Sequence, residues 1–278
     1  MTASDPDLRG HPKGGYPLPY WARCALLATA LLGSLAALLG QPPMHQDLAY
    51  HNLADRRTLL GVPNAMDVLT SLPFLLIGAI GLRHCVRHPE GPAPRSWQVF
   101  FTGAALVGLG SAWYHLEPTN QSLVWDRLPM SIAFMGVLVS LLAEYLTPRL
   151  ERLLLLPAVL VGSGSVVWWA YADDLRLYAW VQLAPVIAIP LVLALFRGTY
   201  TDRLRWLGAG ACYVAAKTAE QMDGALFHAT GGLLSGHSLK HLLAVSGLVC
   251  LYAMIRIRQP TRRPTCDHIG DGRGGRSQ

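Results

Sequence analysis

Charged residues are scarce in this sequence, and cysteines are few and scattered. Asp, Glu, Lys and Arg make up only 14% of its 278 residues, whereas soluble domains carry roughly 25%. None of the five cysteines belongs to a Cys-x-x-Cys pair, which argues against a disulfide framework and against a thiolate metal site. The polar stretches between the apolar segments are too short for a second folded domain. These scarcities exclude a soluble globular protein and a disulfide-stabilised module.

Long apolar segments, in contrast, recur along the whole chain. Hydrophobic residues make up 52% of the sequence, and a helix of about 20 apolar residues crosses a hydrocarbon core of about 30 Å. We therefore predict an all-α, polytopic membrane helix bundle with eight spans. Their approximate bounds are residues 21–40, 66–86, 97–116, 124–146, 152–171, 176–196, 204–225 and 237–257.

The distribution of Lys and Arg predicts the orientation of the chain. If the N-terminus is cytoplasmic, 17 of the 23 Lys and Arg residues fall in inner segments and 4 in outer loops, while Lys217 and Lys240 lie within spans. An excess of basic residues on the cytoplasmic side is the usual pattern in membrane proteins. The net charge of +6 is thus explained by topology and not by nucleic-acid binding, and we expect both termini in the cytoplasm.

Polar side chains with chemical potential are concentrated in two segments. Ser111 and His115 are four residues apart, so a helix places them on one face, one turn from each other. Asp126 follows eleven residues later, and His237 and His241 form a second pair with the same spacing at the start of the last span. In the predicted topology all of these side chains lie in the outer third of the bilayer, where they can form one site.

Three imidazoles and one carboxylate in one place suit a catalytic zinc ion. Such zinc sites use three protein ligands and keep a fourth position for water, whose pKa falls to about 7. His115, His237 and His241 are the predicted ligands. Asp126 would accept a proton from the water, and Ser111 would donate a hydrogen bond to a developing oxyanion. These parts indicate metal-assisted hydrolysis of an acyl bond, either an amide or an ester.

Several of these residues also have a purely structural explanation. A single histidine at a membrane interface can serve as an amphipathic anchor, and Ser111 can bond to a backbone carbonyl or ease helix packing. Asp126 can cap the start of the fourth span, with Pro129 in its first turn. The histidine pair is harder to explain in this way, because ionisable groups within a span are costly and mark function by default.

The seventh span contributes a second group of charges. Lys217, Glu220 and Asp223 recur at steps of three on one broad face. We interpret Lys217 and Glu220 as an ion pair turned into the bundle, with Glu220 and Asp223 near enough to its outer end to support the site. Lys240 is interpreted as reaching out to lipid headgroups, and His228, just beyond the seventh span, is a spare metal ligand.

At these residues the chain resembles the alkaline ceramidase family, within a wider group of seven-helix membrane hydrolases that includes the adiponectin receptors. The resemblance covers spans two to eight and depends on three motifs in the family's order and spacing. They are Gly110-Ser111-x-x-x-His115, Asp126-x-Leu128-Pro129-Met130 and His237-x-x-x-His241-Leu242.

The resemblance implies a function and a set of roles. It implies a zinc ion held by His115, His237 and His241, with Asp126 activating the water and Ser111 supporting the oxyanion. The substrate of the family is a ceramide, whose amide is cut to a sphingoid base and a fatty acid. We therefore expect a lipid substrate that arrives from the bilayer, and no protein partner is indicated.

The resemblance also implies a division of the chain. Residues 64–257 correspond to the seven-helix membrane domain, and residues 21–40 to an additional N-terminal transmembrane helix. Residues 1–20 are predicted to be a cytoplasmic lead, and residues 258–278 a disordered cytoplasmic tail.

Two stretches depart from the pattern of the family. Members with a calcium site carry an acidic cluster and a tryptophan before their first helix, whereas the matching stretch here offers only Asp55 and Asn64 as oxygen ligands. This difference argues against bound calcium. Arg127 follows Asp126 where the family commonly has an acidic residue, which points to a different headgroup preference. Arg127 therefore joins Lys240, Glu220 and Asp223 as a candidate for supporting the site or contacting substrate.

Three functions compete at this point. The first is an integral membrane, zinc-dependent hydrolase of a ceramide or a ceramide-like N-acyl lipid, with its site toward the outer face. The second is a receptor or transport protein of the same fold, in which the histidines hold a structural metal. The third is a proton or cation transporter that uses Lys217, Glu220 and Asp223.

Overall fold

The computed structural model describes residues 17–261, and it confirms the predicted all-α architecture. The described residues form nine α-helices and one short 3-10 helix, Leu48–His51, with no β-strand. In chain order the α-helices are α1 (Tyr20–Leu39), α2 (Ala65–Arg87), α3 (Pro94–Leu116), α4 (Asn120–Tyr145), α5 (Arg149–Ala172), α6 (Arg176–Leu195), α7 (Leu204–Gln221), α8 (Asp223–Ala229) and α9 (Gly236–Ile257). Most of the predicted lead and tail, residues 1–16 and 262–278, lies outside the described residues.

Seven of these helices, α1 to α6 and α9, are long and apolar enough to cross a membrane. Their bounds agree with seven of the eight predicted spans to within about one turn. The predicted span over residues 204–225 differs from the structure, because α7 ends at Gln221 and α8 begins at Asp223. The 18 residues of α7 include Arg205, Lys217 and Glu220, and such charges are unfavourable in a lipid-facing span. The chain is a multi-pass membrane protein.

Six helices form a closed ring around the interior of the bundle. In order around the ring they are α2, α3, α4, α6, α7 and α9, and α9 closes the ring against α2. α4 is the most deeply buried, since 78% of its apolar window is inside the protein. α5 packs on the outside of α4 and α1 on the outside of α6. Polar side chains that point into the ring are therefore shielded from lipid.

α1 lies at the periphery of the bundle. Only 11% of its apolar window is buried, and it packs on α6. The Trp180 indole on α6 donates a hydrogen bond to the Leu31 carbonyl oxygen at 3.1 Å. The ring is complete without this helix.

One end of the ring is closed by residues 40–64, which join α1 to α2 and are called the closing loop below. The His51 ring contacts the Tyr114 hydroxyl and the Asn120 side-chain oxygen, both at 2.9 Å. The Ala54 backbone N–H donates to the Asp223 carboxylate, also at 2.9 Å. These bonds fix the closing loop to α3, α4 and α8 at the end of the bundle that contains the predicted histidines.

Candidate active site

Three histidines meet inside the ring, beneath the closing loop. His115 lies in the last turn of α3, and His237 and His241 lie in the first two turns of α9. All three are buried, and one ligand atom from each lies within 4.8 Å of the others. The structure therefore brings together the three predicted metal ligands. No other group of three or more His, Cys, Asp or Glu side chains within residues 17–261 is arranged in this way.

The nitrogen atoms of this triad fit a metal ion. Both ring nitrogens of His115 are buried and have no hydrogen-bond partner among the described residues, and an unsatisfied buried polar group costs about 1–3 kcal/mol. On His241, the Thr70 hydroxyl lies 3.0 Å from Nδ1, which orients the ring and leaves Nε2 available. A shared ion would satisfy His115 and explain why three imidazoles converge in an apolar interior.

The third histidine has a cationic neighbour. Lys240 Nζ lies 2.8 Å from His237 Nε2 and 3.0 Å from the Glu220 carboxylate. If a metal ion binds His237 Nε2, the Lys240 ammonium keeps its hydrogen bond to Glu220. The expectation that Lys240 reaches out to lipid headgroups is wrong, because the buried Glu220 carboxylate draws the ammonium inward.

A close approach of two helices places the predicted catalytic residues. A Cβ atom on Gly110 would lie 2.0 Å from the Trp125 carbonyl oxygen, so only glycine allows α3 and α4 to come this close. Ser111 and Asp126, the next residues along each helix, are brought close together as a result, and both line the same cavity. The Ser71 hydroxyl of α2 lies 3.0 Å from that of Ser111.

We expect Gly110→Ala to destabilise the protein by about 1–3 kcal/mol, because overpacking forces backbone shifts. The methyl group would push α3 from α4 and separate Ser111 from Asp126. Gly164→Ala on α5 is the matched control, since a Cβ there meets nothing within 4 Å. Thermal unfolding of the purified protein in detergent measures the difference. Equal melting temperatures for the two variants would show that the close approach of α3 and α4 at Gly110 is not needed for stability.

Asp126 is not a helix cap. α4 begins at Asn120, and Thr119 caps it through a reciprocal pair of hydrogen bonds with Ser122. Asp126 lies in the second turn of the helix, buried, and Pro129 is also inside the helix. The structural explanation of Asp126 as an N-cap is wrong, because the capping box starts the helix six residues earlier. The Asp126 carboxylate is therefore available to the site.

The charges of α7 form a buried cluster around one carboxylate. Glu220 accepts hydrogen bonds from Lys217, from Lys240 at 3.0 Å and from the Tyr50 hydroxyl at 2.9 Å. The predicted ion pair between Lys217 and Glu220 is present. Burial raises the pKa of Tyr50 well above its ordinary value, so its hydroxyl stays protonated and acts as a donor. Every oxygen of Glu220 is occupied.

Two carboxylates hold the start of α9, and with it two of the three histidines. Asp223 accepts from the His237 backbone N–H at 2.8 Å, and Asp67 on α2 accepts from the Ser238 hydroxyl at 2.6 Å. Negative charge is favourable at a helix N-terminus. A Cβ on Gly236 would lie 2.2 Å from the Ala219 carbonyl oxygen, so α9 starts directly against the end of α7.

The remaining predicted residues lie around this site. Both oxygens of Asp55 bind the Arg57 guanidinium, at 2.8 and 2.5 Å, and these hydrogen bonds lower the pKa of Asp55. The Asn64 amide donates to the His115 carbonyl oxygen at 2.8 Å. Both carboxylate oxygens of Asp55 are thus bound by Arg57, and the expectation that calcium is not bound stays a prediction. His228 is exposed on α8, and Arg127 is buried beside Asp126 on α4.

Sequence reasoning did not assign a role to several residues of the site. Thr70 orients His241, Asp67 anchors α9, and Tyr50 of the closing loop donates to Glu220. The sequence does contain a signal for Asp67 and Thr70. Together with Ser71 they are polar residues at helical spacing in an otherwise apolar span. Tyr50 has no comparable signal.

A cavity of about 170 Å³ lies in the centre of the ring, and one histidine of the triad, His241, lines it. Its polar end is lined by Ser111, Asp126, Lys240 and His241. One or two turns further along the same helices the lining is apolar, with Val107, Met130, Ala244 and Leu248. Leu248 follows His241 by seven residues on α9, which corresponds to roughly 10 Å along the helix. The cavity thus has one polar and one apolar end, as an amphiphile does.

A comparison with known protein families gives a match. Residues 62–203 match the sequence model of a protein family described as Ceramidase. The matched segment spans half of the chain and includes His115, Ser111 and Asp126. No curated protein matches the sequence.

Proposed function

Because this chain belongs to the Ceramidase family, we propose that it is a zinc-dependent membrane hydrolase that cleaves the amide bond of ceramide or of a ceramide-like N-acyl lipid. The reaction consumes water and releases a fatty acid and the amine part of the lipid. The lipid enters from the bilayer.

One observation carries this proposal. Three buried histidines, one of them without any hydrogen-bond partner, adjoin a buried carboxylate at the polar end of an amphipathic cavity. A structural metal would need the histidines alone. The addition of Asp126 and Ser111, together with an apolar extension for an acyl chain, favours turnover of a lipid.

The residues of the chain then have distinct roles. A zinc ion held by His115, His237 and His241 would supply an acidified water and polarise the carbonyl group. Asp126 accepts a proton from the attacking water and returns it to the leaving nitrogen. Ser111 donates a hydrogen bond to the carbonyl oxygen as negative charge develops there.

The cavity orients the lipid. The amide lies at the polar end, beside Asp126, and the acyl chain follows the apolar lining past Val107 and Leu248. Burial of the chain contributes about 0.8 kcal/mol for each CH₂ group. This energy holds the amide against the catalytic groups without any contact to the reacting atoms.

We place both termini in the cytoplasm and the site toward the outer face, on the distribution of Lys and Arg in the sequence. This orientation requires α7, which belongs to the ring, to cross the membrane as an eighth helix. Residues 64–257 form the hydrolase domain and α1 is an addition to it. This division is supported by the ring of six helices, which α1 does not join.

A cation transporter is less well supported. Its charges would be those of Lys217, Glu220 and Asp223, but Glu220 is saturated by three donors and Asp223 holds the start of α9. Groups fixed in this way are poorly suited to binding and releasing a transported cation.

Incubation of the purified protein with N-acyl lipids tests the proposed function. We expect release of fatty acid from ceramide or a related N-acyl lipid, loss of release with a chelator of divalent metals, and recovery when zinc is added back. Free fatty acid is measured by mass spectrometry. A folded, zinc-loaded protein that releases no fatty acid from any N-acyl lipid would exclude the hydrolase.

A further inference from the structure

Arg127 is a buried cation with an unused donor. It lies on α4 next to Asp126, is 7% exposed and lines the cavity. Its guanidinium lies over the rings of Trp169 at 4.2 Å and Tyr178 at 5.0 Å. One end group, Nη2, donates to the Gln46 side chain of the closing loop at 2.6 Å. The other end group, Nη1, is buried and has no hydrogen-bond partner within residues 17–261.

Burial of the Arg127 guanidinium costs free energy unless a ligand accepts a hydrogen bond from Nη1. A buried charge is expected to be paired and hydrogen-bonded, yet within residues 17–261 no carboxylate forms an ion pair with Arg127. The aromatic rings and Gln46 hold the guanidinium in one position, so Nη1 is fixed before a ligand arrives. A fixed, desolvated donor binds an acceptor with little loss of conformational entropy.

The charges that line the cavity sum to a net positive charge. They are three cations, Arg127, Lys217 and Lys240, and two anions, Asp126 and Glu220. Both lysines are bound to Glu220, so this carboxylate has no oxygen left for Arg127. Among the described residues, the close partners of Arg127 are aromatic rings and the neutral Gln46, and its helix neighbour Asp126 forms no ion pair with it.

We propose that Arg127 Nη1 binds an anionic group on the amine part of the lipid, and that the enzyme prefers N-acyl lipids with an anionic headgroup to neutral ceramide. The group is a carboxylate or a phosphate, the two anions whose oxygens match a guanidinium. Arg127 adjoins Asp126, so an anion on it lies at the headgroup side of the amide. Because this inference names the substrate class of the proposed hydrolase, it rests on that function.

Two pairs of lipids with the same acyl chain test it. The first pair is N-palmitoylglycine and N-palmitoylethanolamine, which carry a carboxylate and a hydroxyl group. The second pair is N-palmitoyl ceramide with and without a phosphate on its primary hydroxyl. With the full-length, zinc-loaded protein we expect kcat/KM to be roughly 10- to 100-fold higher for the anionic lipid in at least one pair. The pair that shows the preference identifies the anion.

Arg127→Gln should abolish this preference. We expect kcat/KM for the anionic lipid to fall to the value for its neutral partner, while the neutral lipid changes by less than about threefold. Arg56→Gln is the matched control, because Arg56 is an exposed arginine of the closing loop. It removes the same charge and should leave the preference unchanged. Equal kcat/KM within both pairs, or a parallel loss on both lipids in Arg127→Gln, would overturn the inference.

Binding separates failure of this inference from failure of the hydrolase. The same lipids compete with a fluorescent lipid for the zinc-loaded protein, so no turnover is required. If no lipid is hydrolysed, the proposed function is wrong, but tighter binding of the anionic lipid that is lost in Arg127→Gln would still support the Arg127 site. Equal binding of both lipids would overturn it.

Discussion

Asp126→Asn should lower the rate of amide hydrolysis by roughly 10²- to 10⁴-fold, the usual contribution of a general acid–base group, while the protein keeps its metal. The amide has nearly the shape of the carboxylate, so the packing of α3 against α4 is preserved. It cannot accept a proton from the attacking water. The histidines alone form the candidate ligand set, so metal binding does not depend on residue 126.

Two measurements are needed, initial rates of fatty acid release and metal content by elemental analysis. Glu117→Gln is the matched control, because Glu117 is an exposed carboxylate at the same end of the bundle. It should keep both the rate and the metal. If Asp126→Asn is as active as the unmodified protein, the carboxylate has no catalytic role, and a receptor or transport protein with a structural metal becomes the better explanation.

His115→Ala should remove both the metal and the activity. His115 is the only member of the triad with two unpartnered ring nitrogens, so its sole evident contribution is to the ion. We expect bound zinc per chain to fall sharply, and hydrolysis to fall by at least about 100-fold. The remaining two histidines, four residues apart on α9, are too few for a stable catalytic zinc site.

His228→Ala provides the comparison for that variant. His228 is exposed on α8 and lies outside the triad, so its loss should change neither zinc content nor rate. Full activity of His115→Ala without bound metal would contradict the metal-dependent mechanism. A loss of zinc in His228→Ala would mean that the ligand set differs from the triad described above.

The sequence was sufficient to predict the seven apolar helices and the meeting of the three histidines, but not the division of residues 204–225 into α7 and α8. Membrane spans are long apolar segments whose bounds are set by a change from apolar to polar composition, and such changes are local. His237 and His241 are likewise related locally, by one helical turn. His115 could be assigned to the same site because the alternating direction of the spans places the end of α3 and the start of α9 on the same side of the membrane.

The local ion pair between Lys217 and Glu220 could be predicted, but the partners of charged side chains on different segments could not. Lys240 turns inward because Glu220, on a different helix, is buried next to it, and Asp126 is not a cap because Thr119 starts α4 earlier. The unpartnered donor of Arg127 depends on Trp169, Tyr178 and Gln46, which come from three separate segments. Contacts between distant segments are set by tertiary packing, which leaves no periodic signal in the sequence.

The closing loop has a consequence for how substrate reaches the site. Because it is bonded to α3, α4 and α8, entry of the proposed lipid substrate past the loop would require these hydrogen bonds to break. A sideways route between helices, from the leaflet in which the lipid resides, leaves them intact. The quantity that governs the encounter is then the number of substrate molecules per unit area of bilayer, and water solubility of the lipid has little influence on the rate.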